Sequence, residues 1–207
     1  MGAYYYLVPQ LSHLIYGQTP PMTAAEFREM ATPLLTGEDA ALLDTIGLDP
    51  EPPKPDETGR ELSYAEKLPP CGSDFIDNWR EWERTLRLNL AKLRFIKLKR
   101  EGAGPAEPPD FPVEAVATAA KAVQETPLEG ESVIDKARWS AIESMQGNEY
   151  FGRNTIFAYL LKLMILERQA SFQTETGFSE YKSLYASILE QPAAIAAVGT
   201  LSAGESK

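Results

Sequence analysis

The chain has 207 residues, 43% hydrophobic and 24% charged, with 30 acidic against 20 basic side chains and a formal charge of −10. That length suffices for a real core, and the acidity argues against a protein that coats nucleic acid, which needs a net basic face. One His and one Cys rule out an intrachain disulfide framework, a four-ligand zinc site and the paired Glu-x-x-His sets of di-iron bundles.

Residues 3–8 alternate aromatic and apolar side chains at short spacing, which predicts a short strand or hairpin at the N-terminus. Thr23 to Glu26 fits a capping box that opens a helix with Phe27, Met30, Ala31 and Leu34 on one face, shortened by Pro33. Thr36, with Glu38 and Asp39 behind it, starts a second short helix that Gly47 ends. Residues 1–46 therefore read as an N-terminal segment of short helices. Prolines 50, 52, 53, 55, 69 and 70 make residues 47–72 a linker.

The clearest element is a long helix over residues 73–101. Phe75, Trp79, Trp82, Leu86, Leu90, Leu93 and Ile96 recur at steps of three and four, an apolar stripe about 42 Å long. A second proline linker, 102–112, separates it from a helical bundle over 113–192 that packs on it. The bundle's expected helices are 113–124, 131–145 (stopped by Gly147 and Asn148), 155–175 (capped by Asn154) and 179–191. Residues 193–207 form a flexible tail. The expected fold is all-α, a bundle of repeated helical units.

Candidate chemistry is sparse. Ser12-His13 lacks the surroundings of a nucleophile turn, and Cys71 has only His13 as a potential base and no basic neighbour. Gly102 to Pro105 lacks the Lys-Ser/Thr of a phosphate loop. No catalytic, cofactor-binding or metal-ligating residue is assigned. An enzyme remains a third reading, which a deep polar pocket with perturbed side chains would favour.

Charge is more informative. Residues 1–72 carry −7, 73–101 carry +3, and the rest −6. The positive charge is concentrated late in the long helix, at Arg87, Lys92, Arg94, Lys97, Lys99 and Arg100. They complement the helix dipole, and Glu83 can pair with Arg87 at i,i+4. They are equally a candidate surface for an acidic partner. Trp79 and Trp82 with Glu83-Arg84, and Leu166 with Glu167-Arg168, share a local pattern of neighbouring ions in an apolar helix. Either each ionic pair reaches solvent at a helix edge, or these charges fix packing between two repeats.

Four stretches together resemble an uncharacterised bacterial family encoded in operons for V-type (V/A-type) ATPases. They are Tyr4-Tyr5-Tyr6-Leu7-Val8 with Leu11, Leu14, Pro20-Pro21 and Phe27; residues 79–97 with Trp-x-x-x-Glu-Arg and Leu-Ala-Lys-Leu-Arg; residues 127–139; and residues 159–172 with Leu-Lys-Leu-x-Ile-Leu-Glu-Arg. The family is similar to the C/d adaptor of these ATPases, an all-helical part between the central shaft and the membrane rotor ring. This chain is much shorter than that adaptor and shows two Glu-Arg helices where the adaptor has three.

The resemblance implies a non-catalytic ATPase subunit or accessory protein without cofactors. Its partners would be other V-type ATPase subunits of the shaft and ring. It would be cytoplasmic, held at the membrane peripherally through the complex, with no membrane span and no nucleic acid bound. The alternative is a stand-alone cytosolic adaptor for other proteins, which exposed aromatics near Tyr4 to Tyr6 would favour.

Overall fold

The N-terminal residues turn helically. In the computed structural model, which describes residues 4–48, 68–98 and 127–172, Tyr4 to Leu7 lead into a 3-10 turn at Val8–Gln10. The strand expected over 3–8 is therefore corrected. Leu7 is already in the right-handed helical region, and Pro9, with its fixed φ and no N–H, sits in the first turn. Tyr4 and Leu7 are buried while Tyr5 and Tyr6 are exposed, a spacing of three rather than two.

Five α-helices follow: α1 (Ala24–Ala31), α2 (Gly37–Asp44), α3 (Asp74–Lys97), α4 (Pro127–Gln146) and α5 (Arg153–Ser171). The described residues contain no strand, and the architecture is all-α. The expected helices 113–124 and 179–191, linker 102–112, residues 49–67 of the 47–72 linker and the tail lie outside the described residues. The chain divides into two compact units, Met1–Glu167 and Arg168–Lys207.

Helix starts follow local chemistry. The Thr23 hydroxyl accepts from Glu26 N–H while the Glu26 carboxylate accepts from Thr23 N–H, completing the capping box. Pro33 ends α1 in a short 3-10 turn (Thr32–Leu34), and Leu34 leaves the apolar face for solvent. Thr36 caps α2, which ends at Asp44, before Gly47. Ser73 caps α3, with Asp74 and Asp77 in the first turn and Arg94 and Lys97 in the last, matching the helix dipole at both ends. Helix α4 starts at Pro127, four residues before the expected Glu131, because proline suits the first helical position. Gly147, at φ +63°, follows its end.

Helix α5 is the centre of the core. Ile156 to Leu161, Leu163, Ile165 and Leu166 are all buried, so it is covered on every side over that stretch. Phe157 packs 6.3 Å from Phe75 of α3, and Tyr159 packs 5.0 Å from Phe27 of α1. Burial raises the Tyr159 hydroxyl above its ordinary pKa.

Helix α3 is buried over only part of its length. Phe75, Ile76, Trp79, Trp82, Leu86 and Leu88 are in the core, with Trp79 and Trp82 stacked at 5.7 Å. Leu90 is half-buried, whereas Leu93, Ile96 and Leu98 are exposed. The apolar stripe continues past the packing that covers it.

Candidate functional site

Glu83 is only 3% exposed, which excludes the solvent-edge placement for this member of the two Glu-Arg pairs. A buried carboxylate is costly unless charge-paired and hydrogen-bonded. Arg138 of α4 grips it with two prongs, Nε to Oε2 at 3.0 Å and Nη2 to Oε1 at 2.7 Å. The same guanidinium donates from Nη1 to Asp135 at 3.1 Å. Arg87 adds its Nε to Glu83 at 2.9 Å, the expected i,i+4 pair, and its Nη2 to the Leu48 carbonyl. Two arginines and two carboxylates thus tie α3 to α4 and to the end of the N-terminal segment. Arg84 turns along its own helix to Glu81.

The second pair is used differently. Glu167, next to the buried Leu166, accepts from the Ala24 N–H at 2.9 Å. That N–H is one of the donors left open at the start of α1, so Glu167 completes the cap that Thr23 begins. Arg168 falls in the second unit, where its carbonyl accepts from Ser171. In each pair the glutamate reaches another helix, one through a side chain and the other through backbone.

A further network was not legible in the sequence. The Tyr4 hydroxyl donates to Asp39, which is buried, and Arg153 approaches the other oxygen of Asp39 at 3.4 Å. Arg153 also lies 3.7 Å from Glu38 and donates to the Gly72 carbonyl at 3.1 Å. Burial first, then the Asp39 contact, raises the Tyr4 pKa. The N-terminal turn, α2, the entry to α3 and the start of α5 meet here.

The predicted basic surface is divided by the structure. Arg87 is turned inward, as above, and Lys92 is half-buried. Arg94 and Lys97 are exposed beside Leu93, Ile96 and Leu98. Lys99 and Arg100 lie outside the described residues. What stands free at the end of α3 is therefore a mixed apolar and basic surface.

At the other end of α3 an open cleft of about 420 Å³ is lined by Tyr5, Asp74, Phe75, Arg153 and the loop 148–152 between α4 and α5. Tyr5 and Phe151 pair at 4.9 Å with a 40° tilt. The Glu149 carboxylate folds over Gly152, where a Cβ would meet its Oε2 at 2.6 Å.

Ser12 and His13 are both exposed. Among the described residues no group of three or more His, Cys, Asp or Glu is placed to hold a metal ion, and no helix is long and apolar enough to cross a membrane. Cys71 is half-buried, and burial pushes its thiol above the ordinary value, with nearby Asp77 adding to the rise. A raised pKa means less thiolate at any given pH, the opposite of an activated nucleophile. Iodoacetamide at pH 8 should alkylate Cys71 more slowly than free cysteine, by roughly a factor of two or more. A rate above that of free cysteine would revive the enzyme reading.

No curated protein and no solved structure matches the chain. The stretch 112–191 matches a family model described as "Protein of unknown function (DUF2764)". Two of the four resembling stretches, 127–139 and 159–172, lie inside that match, while Tyr4 to Phe27 and 79–97 lie outside it. That match covers 80 of the chain's 207 residues.

Proposed function

We propose that this chain is a non-catalytic helical adaptor of a bacterial V-type ATPase, serving where the C/d adaptor joins the central shaft to the rotor ring. The observation that carries the reading is the division of α3. One half is locked in the core by Trp79, Trp82 and the Glu83–Arg138 clamp, and the other presents Leu93, Ile96 and Leu98 with Arg94 and Lys97. A helix of 24 residues is about 36 Å long, so a rigid base carries an apolar and basic tip well along the strut. Clustered apolar exposure of this kind marks a contact surface, and mechanical coupling needs such a strut rather than reactive groups. The link to the ATPase itself rests on the four resembling stretches.

Tagged protein expressed beside the ATPase should co-purify with its shaft and ring proteins under gentle extraction. Reversing Arg94→Glu with Lys97→Glu should abolish that recovery while costing no more than about 2 kcal/mol of stability, the dipole penalty of two acidic side chains on an exposed last turn. Recovery of the chain free of every ATPase component counts against the proposal. The stand-alone adaptor is the second reading, favoured by the exposure of Tyr5 and Tyr6.

A further inference from the structure

We infer that the cleft at the start of α3 and α5 captures an arginine- or lysine-bearing segment of a partner protein. Its lining combines aromatic faces with acidic groups. Tyr5 and Phe151 form the ring pair, and Tyr150 beside them is 70% exposed. Asp74 and Glu149 line the same cleft, both are exposed, and neither carboxylate bonds to any described residue. The one cation among the described lining residues, Arg153, is already engaged by Asp39, Glu38 and the Gly72 carbonyl. What the cleft offers a ligand is therefore negative charge and π faces. A guanidinium or ammonium group gains from both, through the ring quadrupole and a charge-assisted hydrogen bond.

The rings sit on a built platform. Tyr4 N–H donates to the Phe151 carbonyl at 2.7 Å, joining the N-terminal turn to the α4–α5 loop, and the Tyr4 side chain anchors on buried Asp39. Tyr6, the residue after Tyr5, is also 75% exposed. That is more surface than one small cation covers, and it suits a polypeptide. Asp74 and Lys97 stand at opposite ends of α3, about 34 Å apart along the helix. The cleft is thus separate from the basic tip, and the inference holds whichever complex that tip serves.

The test is a titration of the full chain with the capped peptide Ac-Ala-Arg-Leu-Arg-Ala-amide, read by NMR of the Tyr and Phe rings. Saturable shifts are expected at Tyr5, Tyr150 and Phe151. Binding should weaken about tenfold in Asp74→Asn with Glu149→Gln, and similarly when citrulline replaces both arginines. Tyr5→Ala, at an exposed ring, should weaken it with an unchanged melting temperature. Equal binding of the citrulline peptide, no loss in the double variant, or no saturable shift overturns the inference. So does free Nα-acetyl-arginine amide binding as tightly as the peptide, which would mark a small-cation pocket.

Discussion

Arg138→Met should destabilise the folded chain by about 3–5 kcal/mol, the range for breaking a buried ion pair by removing one partner. Methionine fills much of the same volume, so a cavity is not the main cause. The loss comes from Glu83, stripped of two short hydrogen bonds, and Asp135, stripped of one, while both stay buried. Urea unfolding followed by circular dichroism measures it. Adding Glu83→Gln to Arg138→Met should recover part of the loss, because the buried charge left with Arg87 as its remaining arginine partner is gone. Arg80→Met is the contrasting case. Its guanidinium is 4.0 Å from Asp77 on the same helix and partly solvated, so the expected cost is about 0.5 kcal/mol or less. A loss below about 1 kcal/mol for Arg138→Met would mean that the clamp between α3 and α4 is not buried in solution.

Phe157→Ala should cost about as much, 3–5 kcal/mol, because the side chain is fully buried in the helix at the centre of the core and packs on Phe75. Ile96→Ala lies in the same apolar stripe as Phe75 and Trp79, yet should change stability by no more than about 0.5 kcal/mol. The two variants test one statement, that α3 is core at its beginning and surface at its end. If Ile96→Ala destabilised as Phe157→Ala does, the tip of α3 would be packed within the free chain. The argument for a partner surface there would fail with it.

Local signals were the legible ones. Thr23 with Glu26, Thr36 and the Glu83–Arg87 spacing each engage groups three or four residues away, and each forms as expected. The N-terminal turn shows the limit of short patterns. Six residues of aromatic and apolar side chains fit period two as readily as period three, and Pro9 is the local sign of the turn. Pro127 likewise marked the start of α4 in plain view. The solvent-edge option for Glu83-Arg84 fails because a distant partner makes burial of the Glu83 carboxylate tolerable.

That partner is 55 residues away. Nothing within a helical turn of Glu83 points to Arg138, and nothing near Tyr4 points to Asp39, 35 residues on. Hydrogen bonds between neighbours in sequence are set by chain geometry, so the sequence by itself determined where α1, α2 and α3 begin, which faces are apolar and where positive charge collects, whereas α5 starts at Arg153 with the expected cap Asn154 already inside it. Ion pairs and burial between distant segments depend on where those segments pack. The tertiary structure alone decided that half of the α3 stripe is core, that Arg87 turns inward while Arg94 and Lys97 stay out, and that an aromatic, acidic cleft forms at the opposite end. An apolar stripe states that a face favours cover, and only packing shows which part receives it.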